Sequence, residues 1–274
     1  MVVRLTKKRN FEKAKIKKVF LMRLSKIYFW LTASAILFIS CKSHQYQVTH
    51  MSGTIIEMNS RFDENPDQKM AALIQSYKII LDKEMNEVIG QSTQLMEYGI
   101  PESLLTNFTS DAMKQYGDNN LPGGVDLAVM NVHGHRATMP KGEVTLGNLY
   151  EIYSFDNTIT FLELKGEDLN RIFDSYAQMG GAGISSNVRL EIKKNRVSHV
   201  TIDGKEIDPN KIYKIATLDY LADGNNGMEA FLDAQHVNNT GITLRDIMIA
   251  YVRAQTKAGK ALTSALDGRI TNIQ

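Results

Sequence analysis

Residues 65–274 are predicted to fold as one α/β domain with a mixed sheet and flanking helices. Two observations carry this reading. Stretches with apolar residues at three- and four-residue intervals are intermixed along the chain with short runs of strand length. One of those runs, residues 125–131, is apolar almost throughout, the pattern of a strand covered on both faces. Helices and strands are not segregated into separate halves, and no internal repeat or low-complexity tract interrupts them.

The elements follow in order. A short strand is expected at residues 53–58. After Asn65-Pro-Asp67 a long helix places Met70, Leu73, Ile74, Tyr77, Ile80, Leu81 and Met85 on one stripe that asks for burial. Residues 90–99 read as extended, and residues 103–116 as a second helix that ends near Gly117. The run at 125–131 delivers Asn131 into Val132-His-Gly-His-Arg136. Thr145 can cap a short helix at residues 146–153, and residues 158–164 alternate like a strand. Residues 166–178 are helical, with Leu169, Ile172, Phe173 and Tyr176 on one side. A glycine-rich passage at 180–187 opens three strands, 188–192, 197–202 and 213–218, with Asp203-Gly204 as a hairpin turn. Thr243 with Asp246 three residues on predicts a capping box for the last helix.

The first 40 residues are read apart from the fold, as a signal peptide. Residues 27–40 form an uncharged, largely apolar run of 14, preceded by Arg23 and Lys26, which is signal-segment length and short for a membrane span. Met22-Arg-Leu-Ser-Lys26 has the form of a normal start, so Met22 is a candidate initiator. Leu37-Phe-Ile-Ser-Cys41 resembles a bacterial lipobox, whose cysteine becomes the lipidated first residue; the other reading is an uncleaved anchor or a chance cysteine. On the first reading residues 41–64 are a lipidated tether, and the chain is anchored in a bacterial cell envelope, facing the periplasm. Cys41 is the only cysteine, so the folded part has no disulfide and no thiolate metal site.

Charge excludes one class of partner. The whole chain is +2, but residues 1–40 carry ten Lys/Arg and one Asp/Glu, leaving 22 basic against 29 acidic residues, about −7. A basic surface for nucleic acid is not supported.

Candidate chemistry gathers in loops. Asp219-Tyr-Leu-Ala-Asp-Gly-Asn-Asn-Gly-Met228 follows an apolar run and joins an aromatic ring to two glycines and two asparagines. It suits a small planar ligand, and equally a tight turn beside a core tyrosine. Four segments could converge: 131–136, 155–157, 180–187 and 220–227. Arg136 can grip an anion bidentately or lie solvated on the surface. His133 and His135 have no acidic residue close in sequence to complete a metal site. Ser185 and Ser186 have no identifiable base, and the glycine run follows a helix, the wrong order for a dinucleotide fingerprint.

In this order the segments resemble the C-terminal, substrate-binding domain of the bacterial 5′-nucleotidase family. An Asn-Gly-Gly-Gly-Ile-Arg type motif has its counterpart in Asn131-Val-His-Gly-His-Arg136. A Pro-Phe-x-Asn type motif is matched by Ser154-Phe-Asp-Asn157, a Thr-Gly-x-x-Leu motif by Lys165-Gly-Glu-Asp-Leu169, and the last loop by Asp219 to Gly227. The resemblance implies that the domain binds the nucleoside part of a nucleotide, with Asn131, Arg136, Asn187, Tyr220, Gly224 and Asn226 as contacts. Tyr220 would stack on the base, and a second ring would be expected in residues 180–187, where none is present. Asn226 stands where the family has an aspartate.

Hydrolysis in the full-length family belongs to a separate metallophosphoesterase domain. Its Asp-x-His, Gly-Asn-His-Asp/Glu and Gly-His-x-His type motifs do not occur here. The resemblance therefore implies no catalytic residue, no metal ligand and no cofactor in this chain, with divalent metals in a separately encoded phosphoesterase partner. A non-catalytic binding or structural lipoprotein that has lost nucleotide affinity is the alternative.

Overall fold

The computed structural model describes Met22 and residues 50–273. Apart from Met22, the expected signal segment, together with Cys41 and the first part of the tether, lies outside the described residues. Contacts divide the chain into residues 1–65 and residues 66–274.

In the first unit the strand expected at 53–58 does not form, and Ile55, Ile56 and Met58 are exposed. A strand needs a neighbour to satisfy its backbone, and among the described residues none pairs with this segment. One turn of 3₁₀ helix, Ser60–Phe62, follows, its start capped by the Asn59 side chain.

The second unit opens with helix α1, Gln68–Met85, where the Asp67 carboxylate accepts from the Met70 amide as the sequence suggested. Its apolar stripe stays open: Met70, Leu73, Ile74, Tyr77, Ile80 and Leu81 are each more than half exposed. Strand β1, Val88–Ser92, leads to helix α2, Leu104–Asn120, capped by Ser103. Gly117 does not end this helix. It is buried inside the last turns, where a Cβ would lie 2.6 Å from Val125 Cγ2, so the glycine admits the incoming strand.

Strand β2, Leu127–Met130, is buried at every residue. Strand β3, Gly142–Thr145, pairs antiparallel with β1 and runs directly into helix α3, Leu146–Ile152. Thr145 and Asn148 there form a reciprocal capping box. Strand β4, Thr158–Lys165, turns at once into helix α4, Gly166–Met179, which Gly180 terminates in the left-handed conformation, φ 83°. After β5, Gly183–Ile184, come β6, Val188–Lys193, β7, Arg196–Ile202, β8, Lys205–Glu206, and β9, Ile212–Leu218. Asp203 and Gly204 both have positive φ, 52° and 71°, the mirror-image turn that hairpins favour. Helix α5, Asp219–Ala222, strand β10, His236–Thr243, helix α6, Leu244–Lys257, and strand β11, Ile270–Ile273, complete the unit.

The class is mixed α/β, as predicted, but the strands form three sheets among the described residues. Strands β1 and β3 make a pair, the order β10-β4-β9-β2-β5 makes the central sheet, and β11-β6-β7-β8 makes the third. The central sheet is mixed: β2 and β9 are parallel, and its other pairings are antiparallel. Helix α2 packs on β2, β5 and β9, and α4 packs on strands of both larger sheets, burying Leu169, Ile172, Phe173 and Tyr176.

Candidate functional site

Register brings the loops together. Ile159 at the start of β4 pairs with Leu218 at the end of β9, so residues 155–157 and 219–228 leave the same end of the central sheet. Strand β2 runs parallel to β9 and also ends there, releasing Asn131. Met130 pairs with Gly183, which brings the beginning of the glycine-rich passage to that end as well. Three of the expected segments thus meet in full, and the fourth by its first half.

Asn187 is the exception. Strand β5 runs antiparallel to β2, so Asn187 emerges at the opposite end, beside the start of β2. Its amide donates to the Asp126 carbonyl at 2.8 Å and to Asp203 at 3.1 Å, and its oxygen accepts from the Ser185 hydroxyl. It closes a turn away from the other candidates.

At the loop end, Phe155 and Tyr220 are 48% and 41% exposed, large for aromatic rings on a folded surface. The Arg136 guanidinium lies 5.7 Å from the Phe155 ring centre, and the Arg136 amide donates to the Ile152 carbonyl. Asp219 ties the two strands: it accepts from the Thr158 hydroxyl at 2.7 Å and from the Tyr220 amide at 2.7 Å. Gly224 has φ 79°, Asn226 φ 60° and Gly227 φ 76°, so the loop turns back through three left-handed residues. The Asn225 side-chain amide holds it by donating to the Tyr220 carbonyl. Asn226 donates to the Met179 sulfur at 3.4 Å.

Between these loops and the end of α4 lies a cavity of about 200 Å³, lined by residues that include Asn131, Val132, Tyr176, Gly181 and Asn226. Asn131 begins the 3₁₀ turn Val132–Gly134 without capping it, and its buried Oδ1 has no hydrogen-bond partner among the described residues. The second ring expected in residues 180–187 is not supplied by that passage. Phe155, from the Ser154-Phe-Asp-Asn157 motif, is the second exposed ring at this end. Its place was written in the sequence but could be read only once β4 and β9 were paired.

Arg245, unmarked in the sequence, organises the 155–157 loop from α6. It donates to the Tyr153 carbonyl at 3.0 Å, pairs with the Asp156 carboxylate, and lies 4.6 Å from the Tyr150 ring centre.

The two histidines divide. His135 is buried, its Nδ1 bonded to the Val132 carbonyl at 3.1 Å and its Nε2 to the Thr109 hydroxyl at 2.9 Å, with Tyr98 stacked beside it. Burial lowers its pKa to about 4, outweighing the Val132 bond, so the ring is neutral. Both nitrogens are engaged inside the protein, which leaves none to bind a metal. His133 is exposed at the cavity mouth. Among the described residues no three His, Cys, Asp or Glu side chains are grouped to hold a metal ion.

The order of these loops on this sheet has a counterpart among known proteins. The family model described as 5′-nucleotidase, C-terminal domain matches residues 88–233, which run from β1 through the 219–228 loop. The chain belongs to the 5′-nucleotidase C-terminal domain family. The trifunctional nucleotide phosphoesterase protein YfkN of Bacillus subtilis is 25% identical over 240 residues, 80% of this chain and 16% of that protein. Protein UshA of Yersinia enterocolitica is 29% identical over 133 residues, 47% of this chain and 24% of that one. Among solved structures, the 5′-nucleotidase precursor of Thermus thermophilus shares the fold, with a TM-score of 0.67 at 23% identity over 77% of this chain and 45% of that one. This member of the family thus spans a quarter or less of those two curated relatives.

Proposed function

We propose that residues 66–274 bind a nucleoside or nucleotide at the loop end of the central sheet, as the recognition half of a phosphoester-cleaving system. The base lies against Tyr220 and Phe155, and Arg136 turns toward the ribose or phosphate. Gly224 and Asn226 shape the loop that closes over it. Hydrolysis is supplied by a separately encoded metallophosphoesterase, for which the open stripe of α1 offers a docking face. Cys41 carries a lipid that holds the chain at a bacterial envelope membrane, facing the periplasm.

One observation carries this reading: two half-exposed aromatic rings and a guanidinium leave adjacent strand ends together. Family membership supports it, and the activities for which YfkN and the Thermus protein are named fit it. The test is calorimetric titration of adenosine and AMP into the full chain, beside Tyr220→Ala and Phe155→Ala. One base–aromatic stack contributes about 1–3 kcal/mol, so each variant is expected to bind about tenfold more weakly or worse. No heat from any nucleoside at millimolar concentration would leave the non-catalytic structural lipoprotein as the better reading.

A further inference from the structure

We propose that Asn226 is a site of spontaneous covalent modification: the loop converts it to aspartate or isoaspartate and so adds a negative charge at this end of the sheet. Asn226-Gly227 is the only Asn-Gly pair in the chain. An asparagine side-chain amide is open to attack by the backbone nitrogen of the next residue, one way in which asparagine is thermolabile. Glycine, having no Cβ, obstructs that attack least. Both residues are exposed, and a Cβ placed on Gly227 would meet no atom within 4 Å, so the approach is open. Both also have left-handed φ, 60° and 76°, and Gly224 precedes them, which gives the backbone room to rotate as a ring closes.

Neighbouring asparagines lack this combination. Asn225 is equally exposed, but its side-chain amide donates to the Tyr220 carbonyl at 2.9 Å, and the residue after it carries a full side chain. Asn195 is exposed at φ 58° in the turn between β6 and β7, but Arg196 follows it. The Asn226 amide donates to the Met179 sulfur at 3.4 Å, and a thioether is a weak acceptor that holds the group little.

The step needs water and no other reactant. The Gly227 backbone nitrogen gives up its proton and bonds to the Asn226 side-chain carbonyl carbon. The bond from that carbon to the side-chain nitrogen breaks, and ammonia leaves with the proton, closing a five-membered imide. Water then opens one of the two imide carbonyls, giving aspartate on the original backbone or isoaspartate with the chain routed through Cβ. Residues 219–229 already carry Asp219, Asp223 and Glu229 and no Lys or Arg, so conversion makes an acidic loop more so. A carboxylate has no proton for the Met179 sulfur, and the loop loses that tie to α4. On the nucleoside-binding reading above, the added charge disfavours a phosphorylated ligand more than an uncharged one.

The experiment incubates the full chain, folded, at mildly alkaline pH and follows each asparagine by peptide mass spectrometry, with fragmentation that separates aspartyl from isoaspartyl. Adenosine and AMP are titrated into wild type and Asn226→Asp in parallel. Asn226 is expected to convert several-fold faster than Asn225 and Asn195, with ammonia released in step. Asn226→Asp should bind AMP several-fold more weakly than wild type, with a smaller change for adenosine. If Asn226 stays an amide in the folded chain, or converts no faster than Asn225 and Asn195, the modification site is overturned. An equal change for AMP and adenosine overturns the charge effect and leaves the modification. Absence of any nucleoside binding in wild type removes the nucleoside reading and the charge effect with it, while the mass measurement decides the modification independently.

Discussion

Lowering the pH from 7.5 to 5 should destabilise this protein through His135, because the fold holds that ring neutral. Its pKa is about 4 in the folded chain against 6.5 unfolded, so between those values the unfolded chain binds the proton that the folded chain refuses. Stability from this group is complete above pH 6.5, falls as the pH drops below it, and is fully lost once the pH passes through about 4. A shift of this size corresponds to about 3 kcal/mol in all, of which about 2 kcal/mol is lost between pH 7.5 and 5. At a urea dependence of about 2 kcal/mol per molar, the unfolding midpoint should move down by about 1 M. His135→Gln keeps a donor and an acceptor toward Val132 and Thr109 but does not titrate. Urea unfolding at both pH values, for wild type and variant, isolates the histidine from carboxylates that also begin to protonate. If the variant loses as much as wild type, the neutral buried ring is not the cause and the reasoning fails.

Other outcomes follow from single contacts. Arg269 is 2% exposed and bridges Asp111, Asp267 and the Ile184 carbonyl; Arg269→Met should cost about 2–3 kcal/mol in thermal unfolding, since both carboxylates still reach water. Gly166→Ala, at the first residue of α4, would gain helix propensity in isolation. Here its Cβ would lie 2.0 Å from the Asp208 carbonyl oxygen, so a loss of about 1–3 kcal/mol is expected, and a rise in melting temperature would contradict the packing. Arg245→Ala should release Asp156 and lower nucleoside affinity several-fold in the same titration that tests Tyr220, with Arg245→Lys failing to restore it because an ammonium does not reproduce the fork.

Much of the fold was legible because its signals are local. Asp67, Ser103, Thr145 and Thr243 each cap the helix that the following apolar spacing announces. Thr243 gives only half of its box, since the Asp246 carboxylate accepts from the Thr243 hydroxyl rather than from its amide. Gly180, Gly204 and Gly224 take the positive φ for which their type is suited. The ordered loop motifs likewise pointed to the family before any coordinates.

Pairing was not legible in this way. Strand β10 reads His-Val-Asn-Asn-Thr-Gly-Ile-Thr, mostly polar and mostly exposed, because it covers one edge of the sheet; nothing in its composition says strand. Strand β11 joins β6 from some 80 residues away, and Gly117 continued a helix that its type would have ended. The α1 stripe has helical period, but its own unit leaves it largely open.

The site divides along the same line. Sequence by itself determined which residue types reach the loops: an arginine after β2, a ring in each of two motifs, glycines and asparagines in the last turn. Tertiary structure decided which of them meet. Antiparallel β5 carried Asn187 to the wrong end, and the β4–β9 register put the Phe155 and Tyr220 loops at one end. Periodicity and capping act over one or two turns of chain, whereas strand register is fixed by contacts between segments tens of residues apart, and only that register sets which side chains share a pocket.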